Sequence, residues 1–464
     1  MNTPDGEMVS YGSERVPREK FLSWQQIRDI SQSGLVELAS HSFNLHKGLL
    51  ADAVGDMLPA TITHGYNPTT DTYESDKEMV LRIADDLKRN NKLIADKTGS
   101  SPRVMVWPFG RYNQLAIDAA KTVGMDLTLT LDPVSANTDS LSNIARAYPT
   151  LNPETGSFQY SFLAPGRPPL RRFVHVEIDE LLESDQEETH FNTFLERMKS
   201  LSPGRVYFEP ALMVDGEFKA MFRNKFIPSI QDRLIRLTWH TNRRAGTEVH
   251  LTLSELMFQA VTPKDYTSFF KDMGRSAPCS GILLANSTIL PNLLNDLRGK
   301  QFTEESPIWN PNITRKRRVQ LLRDTGSPPI KHIVEALEAF QYWQPFLDVG
   351  LLIPAHIYET AGEKTLHNIL RYFDYIMVDY RDEPLDLQPI KKVTEYQSTH
   401  KLQHYTPILV KYETTKKLLS QFKQLQKAGI VDYGYSYDDF KNNSPDRKKI
   451  IPALSTRTYP FIAK

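Results

Sequence analysis

Between residues 173 and 433 the chain repeats one rhythm eight times: a short strand-like run, then, in most repeats, a stretch of helix length. The runs are Phe173–Ile178, Arg205–Phe208, Glu248–Leu253, Gly281–Leu284, Gly350–Ile353, Tyr375–Val378, Pro407–Val410 and Ile430–Tyr433. Short apolar runs bounded by turn residues read as strands with both faces covered. Helical stretches such as His332–Phe340 and Thr415–Lys427 lie between most of them. Eight β/α alternations in this length suit a TIM-type (β/α)8 barrel, and no all-β or all-α arrangement accounts for them.

The front of the chain has the same α/β alternation in fewer repeats. Ser23-Trp24-Gln25-Gln26 is a capping box and starts a helix. After Gly34, the run Leu35 to Ala39 is expected to be a buried strand. An amphipathic helix is expected over about Asp76 to Asp96, with Met79, Val80, Ile83, Leu87 and Ile94 on one face. A strand follows at Arg103 to Trp107, then a turn at Pro108-Phe109-Gly110, a helix from Leu115 to Val123 stopped by Gly124, and a strand from Leu127 to Leu131. The prolines of Asn152-Pro153, Pro165-Gly166 and Pro168-Pro169 exclude a regular helix or central strand. The chain therefore divides into a first domain, 1–151, a linker, 152–172, and a second domain, 173–464.

Two domains of this size need large cores, and 40% hydrophobic residues supply them. The chain carries 56 basic and 56 acidic residues, for a formal net charge of zero. Bulk charge thus gives no drive toward nucleic acid or an anionic membrane. The single cysteine, Cys279, rules out an internal disulfide. No segment approaches the roughly 18 apolar residues of a membrane span. The first residues, Met1-Asn2-Thr3-Pro4-Asp5-Gly6, form neither the basic nor the apolar part of an export signal.

The candidate chemistry sits just past the expected Leu35–Ala39 strand. His41 stands at the strand end and His46 lies five residues on. A strand end that opens into a loop is where α/β folds put their chemistry. Neutral imidazoles there suit a divalent metal, although the spacing alone does not distinguish ligands from incidental histidines.

The words around them are more specific. Ser40-His41-Ser42-…-His46 resembles the second motif of the polysaccharide deacetylases, carbohydrate esterases that remove N-acetyl groups from sugar polymers. Trp107-Pro108-Phe109-Gly110-Arg111-Tyr112-Asn113 resembles their third motif, which forms one wall of the sugar groove. Asp432-Tyr433-Gly434-Tyr435-Ser436-Tyr437-Asp438-Asp439-Phe440 and the run at Gly281-Ile282-Leu283-Leu284 are similar to the glycoside-hydrolase-like half of the two-domain, biofilm-associated members.

The resemblance implies an incomplete polysaccharide-deacetylase (β/α) barrel followed by a glycoside-hydrolase-like (β/α)8 barrel. It implies removal of N-acetyl groups from a poly-N-acetylglucosamine exopolysaccharide, with His41 and His46 holding a divalent metal (zinc, nickel, cobalt or iron). Trp107, Pro108, Phe109, Gly110, Arg111 and Tyr112 would bind substrate. The periplasm or outer membrane would be the location and an outer-membrane export machinery a partner, with no nucleic acid.

Two departures stand against full activity. The family's first motif, adjacent aspartates on an early strand, supplies a third ligand and the general base, and no such word precedes His41. Asp85-Asp86 falls in a helix and Asp438-Asp439 in the second domain. No catalytic residue is therefore identified, and an N-terminally shortened chain is the expected cause. In the second domain the place of the family's carboxylates reads Ala285-Asn286-Ser287. Glycoside hydrolysis needs two carboxyl groups, so polysaccharide binding is expected there rather than cleavage. The strand-end carboxylates Glu177, Asp179, Glu209, Glu255, Asp379 and Glu413 would give such a groove negative potential.

Overall fold

The computed structural model describes residues 6–11, 14–132, 141–146, 172–182, 187–230, 233–285, 289–297, 311–325, 327–399 and 406–456. It falls into two compact units, Met1–Leu163 and Ala164–Lys464. The expected linker, apart from Arg172, lies outside the described residues.

In the first unit, helix α1 (Trp24–Gln32) begins at the expected capping box. Ser23 Oγ accepts from the Gln26 amide at 3.2 Å, and Gln26 Oε1 accepts from the Ser23 amide at 2.7 Å. Helix α2 (Asp76–Thr98) has a second capping box, Ser75 with Glu78, and stops where Gly99 turns left-handed at φ 87°. Its buried face is Met79, Ile83, Ala84 and Leu87, while Val80 and Ile94 are half-buried. Strand β1 (Val104–Val106), helix α3 (Gln114–Lys121), strand β2 (Leu127–Thr130) and strand β3 (Ile144–Ala145) follow. The three strands form a parallel sheet in the order β1-β2-β3.

Leu35–Ala39 is not the buried strand expected. Leu35 is 89% exposed and Val36 48%. Only Ser40 joins the sheet, as a parallel bridge to Met105. Its amide donates to the Val104 carbonyl and its carbonyl accepts from the Val106 amide, each at 2.8 Å. Among the described residues no strand covers the outer side of this segment, so its apolar side chains meet water. An apolar run records that a strand is possible and says nothing about which neighbour covers it.

The second unit is a closed barrel. Its strands are β4 (Phe173–His175), β5 (Arg205–Phe208), β6 (Glu248–Ser254), β7 (Gly281–Ala285), β8 (Asp348–Pro354), β9 (Tyr375–Tyr380), β10 (Ile408–Lys411) and β11 (Tyr433–Ser436). They pair in sequence order, all parallel, and β11 closes onto β4 through Phe173 with Gly434 and His175 with Ser436. All eight overlap the runs read from sequence, the last at Tyr433 alone. The eighth starts at Tyr433 instead of Ile430, because Ile430 is used to end a helix. Gly429 is left-handed at φ 78°, and the Ile430 amide donates to the Leu425 carbonyl at 3.0 Å.

Alternation along the strands divides their side chains. Val206, Phe208, Val249, Leu251, Ile282, Leu284, Val349 and Leu351 belong to the hydrophobic core cluster. The alternate positions fill the barrel. Tyr207 lies against Phe173 and His250, with ring centroids 5.2 and 5.0 Å apart, and its hydroxyl is 3.0 Å from that of Tyr375. Glycine makes room for these rings. A Cβ on Gly281 would stand 2.2 Å from His250 Nδ1, and one on Gly350 2.2 Å from Tyr375 Cζ. At the N-terminal end of the strands, buried Arg205 pairs with Glu248 and Asp348.

Candidate functional site

His41 and His46 come together. Their ring centroids are 5.0 Å apart with planes at 49°, and His46 packs on Phe109 at 4.1 Å. His41 Nδ1 lies 2.7 Å from the Val106 carbonyl. A carbonyl can only accept, so Nδ1 carries the proton and Nε2 keeps its lone pair. Burial pushes the His41 pKa below its usual value; the Val106 bond opposes this, and the charges of His46 and Arg146 add to it. His41 is therefore neutral near pH 7, the form that can act as a ligand.

The loop between them is tightly specified. Ser42 adopts φ 77°, its Oγ accepts from the Leu45 amide at 3.1 Å, and Leu45 is buried. Helix α2 grips the same loop. Asp86 Oδ1 accepts from the Phe43 amide and Oδ2 from the Asn44 amide, each at 2.8 Å. Asn90 Nδ2 donates to Ser40 Oγ at 2.7 Å, and the Arg89 guanidinium lies 4.6 Å from the Phe43 ring centre. The sequence reading set Asp86 aside as half of a helical Asp-Asp pair and did not single out Asn90. Their only signal was the i, i+4 spacing on one helix face, which many solvated helices share.

The third-motif residues split into two groups. Trp107 is fully buried and stacks on Tyr112 at 6.2 Å. Tyr112 is itself buried and donates to Asp132 Oδ2 at 2.6 Å, an oxygen that also accepts from Thr130 Oγ1 at 2.9 Å. Burial raises the Asp132 pKa. Pro108 is also buried, and Gly110 and Arg111 are half-buried. Phe109 is 42% exposed. As placed, Trp107 and Tyr112 support the surface from behind, and Phe109 is the ring that a ligand could touch. Phe109 stands at φ 57° and Gly110 at φ 66°. A Cβ on Gly110 would come 2.6 Å from Leu131 Cβ, so this position needs glycine.

A catalytic divalent ion takes about three protein ligands and leaves a position open. His41 and His46 are suitable donors, but the set is short. Among the described residues no group of three or more His, Cys, Asp or Glu comes together to hold an ion. Asp86 is committed to loop amides, and Asp438 is buried in a two-point ion pair with Arg197 at 2.6 Å.

In the barrel unit, polar side chains gather at the C-terminal ends of the strands. Glu209 accepts from Ser254 Oγ at 2.7 Å; burial raises its pKa, against that bond and the charge of Arg381. Asp379 holds Arg381 through two oxygens, with the closest contact at 2.7 Å. Glu177 and Asp179 are exposed beside them. Burial drives His175 down to about 3. Ala285 ends its strand half-buried, and Asn286 and Ser287 lie outside the described residues.

Comparison with known proteins fits this arrangement. The family model described as polysaccharide deacetylase matches residues 7–128. The poly-beta-1,6-N-acetyl-D-glucosamine N-deacetylases of Escherichia coli K12 and O157:H7 are 24% and 23% identical over 529 aligned positions, taking in 99% of this chain and 78% of theirs. Similar solved structures include the PgaB (BpsB) glycoside hydrolase domain from Bordetella bronchiseptica, 17% identical, covering 62% of this chain and 99% of that one with a TM-score of 0.46. Another is a de-N-acetylase from Aggregatibacter actinomycetemcomitans, 36% identical, covering 34% of this chain and 59% of that one with a TM-score of 0.31. Over residues 7–128 the chain is similar to the polysaccharide deacetylase family.

Proposed function

We propose that the chain is a polysaccharide N-deacetylase relative that handles poly-β-1,6-N-acetylglucosamine, the polymer named for its E. coli relatives. The division into a deacetylase part, 1–151, and a sugar-binding barrel, 173–464, is part of this reading. So is an exopolysaccharide role of the biofilm-matrix kind, in the periplasm or at the outer membrane beside export machinery. The carrying observation is the His41–His46 pair, with a lone pair kept free on His41 Nε2 and Phe109 packed against His46.

A divalent metal bound there would polarise the acetyl carbonyl and make bound water more acidic. The described residues provide two of its ligands and no carboxylate base, so acetyl removal by this chain is proposed to be slow. The test is acetate release from N-acetylglucosamine oligomers by the full chain, with zinc, nickel, cobalt or ferrous iron and with a chelator. Slow release that the chelator stops, and that His41→Ala or His46→Ala abolishes, is expected. Release indifferent to all three overturns the reading.

Polymer binding by the barrel is a second reading. It is favoured by the carboxylates Glu177, Asp179, Glu209 and Asp379 gathered at the strand ends, which suit a polymer with freed, cationic amines. A glycosidase is the weakest reading, because Ala285 occupies the end of its strand without a carboxyl group. Shortening of partly deacetylated polymer would restore it.

A further inference from the structure

We infer that Asp86 on α2 is the positioning residue that fixes His46 relative to His41, with Asn90 steadying the near end of the loop. The two imidazoles are held by different parts of the fold. His41 belongs to the sheet: Ser40 is bonded to both Val104 and Val106, and the His41 ring is bonded to Val106 again. None of those bonds reaches His46, which follows a turn with Ser42 at φ 77°.

What ties that turn down is the Asp86 carboxylate, which gives one oxygen to each of two consecutive amides, Phe43 and Asn44. Charge-assisted bonds of this kind are roughly twice as strong as neutral ones. An amide side chain could accept only one of them and would turn its NH2 toward the other donor. Asn90, one helical turn on, takes Ser40, and buried Ile83 and Leu87 fix the helix itself. The contact at 43 and 44 lies between the two histidines, so it sets where the chain re-emerges to place His46 on Phe109.

The purpose of this positioning rests on the deacetylase reading, since groups behind metal ligands typically change affinity by about 10- to 100-fold when removed. The test uses the full chain, selectively labelled with isotopes at histidine, as wild type, Asp86→Ala and Asp86→Asn. In Asp86→Ala the His46 ring protons should lose the shift imposed by Phe109, while His41 keeps its Nδ1–H tautomer. Cobalt(II) alone, titrated optically, should bind about 10- to 100-fold more weakly. Asp86→Asn, which retains one acceptor and so protects against simple misfolding, should fall between.

An unmoved His46 in Asp86→Ala overturns the inference. Equal disturbance of both imidazoles overturns it too, because the helix would then only hold the unit together. If wild type binds no cobalt yet Asp86→Ala still frees His46, the deacetylase reading falls and the positioning role stands. If cobalt binds wild type and Asp86→Ala equally and His46 is unmoved, the reverse holds.

Discussion

Replacing Gly110 by alanine tests how the exposed face of Phe109 is built. Two costs add. A non-glycine residue in left-handed backbone costs about 1–2 kcal/mol. The new Cβ would stand 2.6 Å from Leu131 Cβ and 2.7 Å from its Cγ, far inside van der Waals contact. Forcing a methyl group into a filled space costs about 1–3 kcal/mol. The total is about 2–5 kcal/mol, a large share of the stability of a small unit.

Urea unfolding followed by tryptophan fluorescence measures this, with Trp107 buried next to the change. A cycle with Leu131→Gly, which removes the Cβ as well as the atoms beyond it, separates the two costs. Leu131 is half-buried, and its removal should return the steric part, about 1–3 kcal/mol, and leave the backbone part. A Gly110→Ala penalty below about 0.5 kcal/mol, or a double variant additive within that margin, would refute the reasoning.

Two further outcomes are expected. Trp107→Ala should cost about 3–5 kcal/mol in unfolding because the indole is fully buried, whereas Phe109→Ala should cost about 1 kcal/mol or less. Titration with N-acetylglucosamine oligomers should show the converse, with Phe109→Ala binding more weakly at temperatures where both fold. In the barrel, burial and then the Arg205 charge push His250 from 6.5 down to about 4. A folded pKa below the unfolded one gives stability that is complete above about 6.5 and is lost as pH falls toward 4. Asp374, raised from 3.8 to about 7 by burial and by Asp348, has the opposite sign: its contribution is complete at low pH and is lost as pH rises to about 7. His250→Asn removes only the first slope, so the stability lead of wild type over the variant should narrow from pH 7 to pH 5. A constant lead refutes it.

The barrel was legible because its strands are apolar on both faces and separated by helices, a pattern that few folds share. Its one displaced strand shows where the signal fails: Ile430 has a strand-like side chain, but the glycine before it commits it to a helix end. In the first unit the Ser23 capping box and the core face of α2 were local and readable. The exposure of Leu35 was not, because burial of an edge depends on a neighbour that the segment itself does not encode. The candidate site divides the same way. The histidine pair was visible as a word in the sequence. The reach of Asp86 across 43 residues to the Phe43 amide was not, since nothing near either residue announces it. The resemblance gave Trp107 and Tyr112 to substrate binding, and only packing shows that both are buried.

The Tyr207, His250 and Tyr375 rings, the last two seated opposite Gly281 and Gly350, act as a stopper in the middle of the barrel. Nothing the width of a sugar can thread along its axis. Under the polymer-binding reading proposed above, a polysaccharide would drape over the rim, and draping needs no free terminus. Recognition of that kind can seize a strand anywhere along its length.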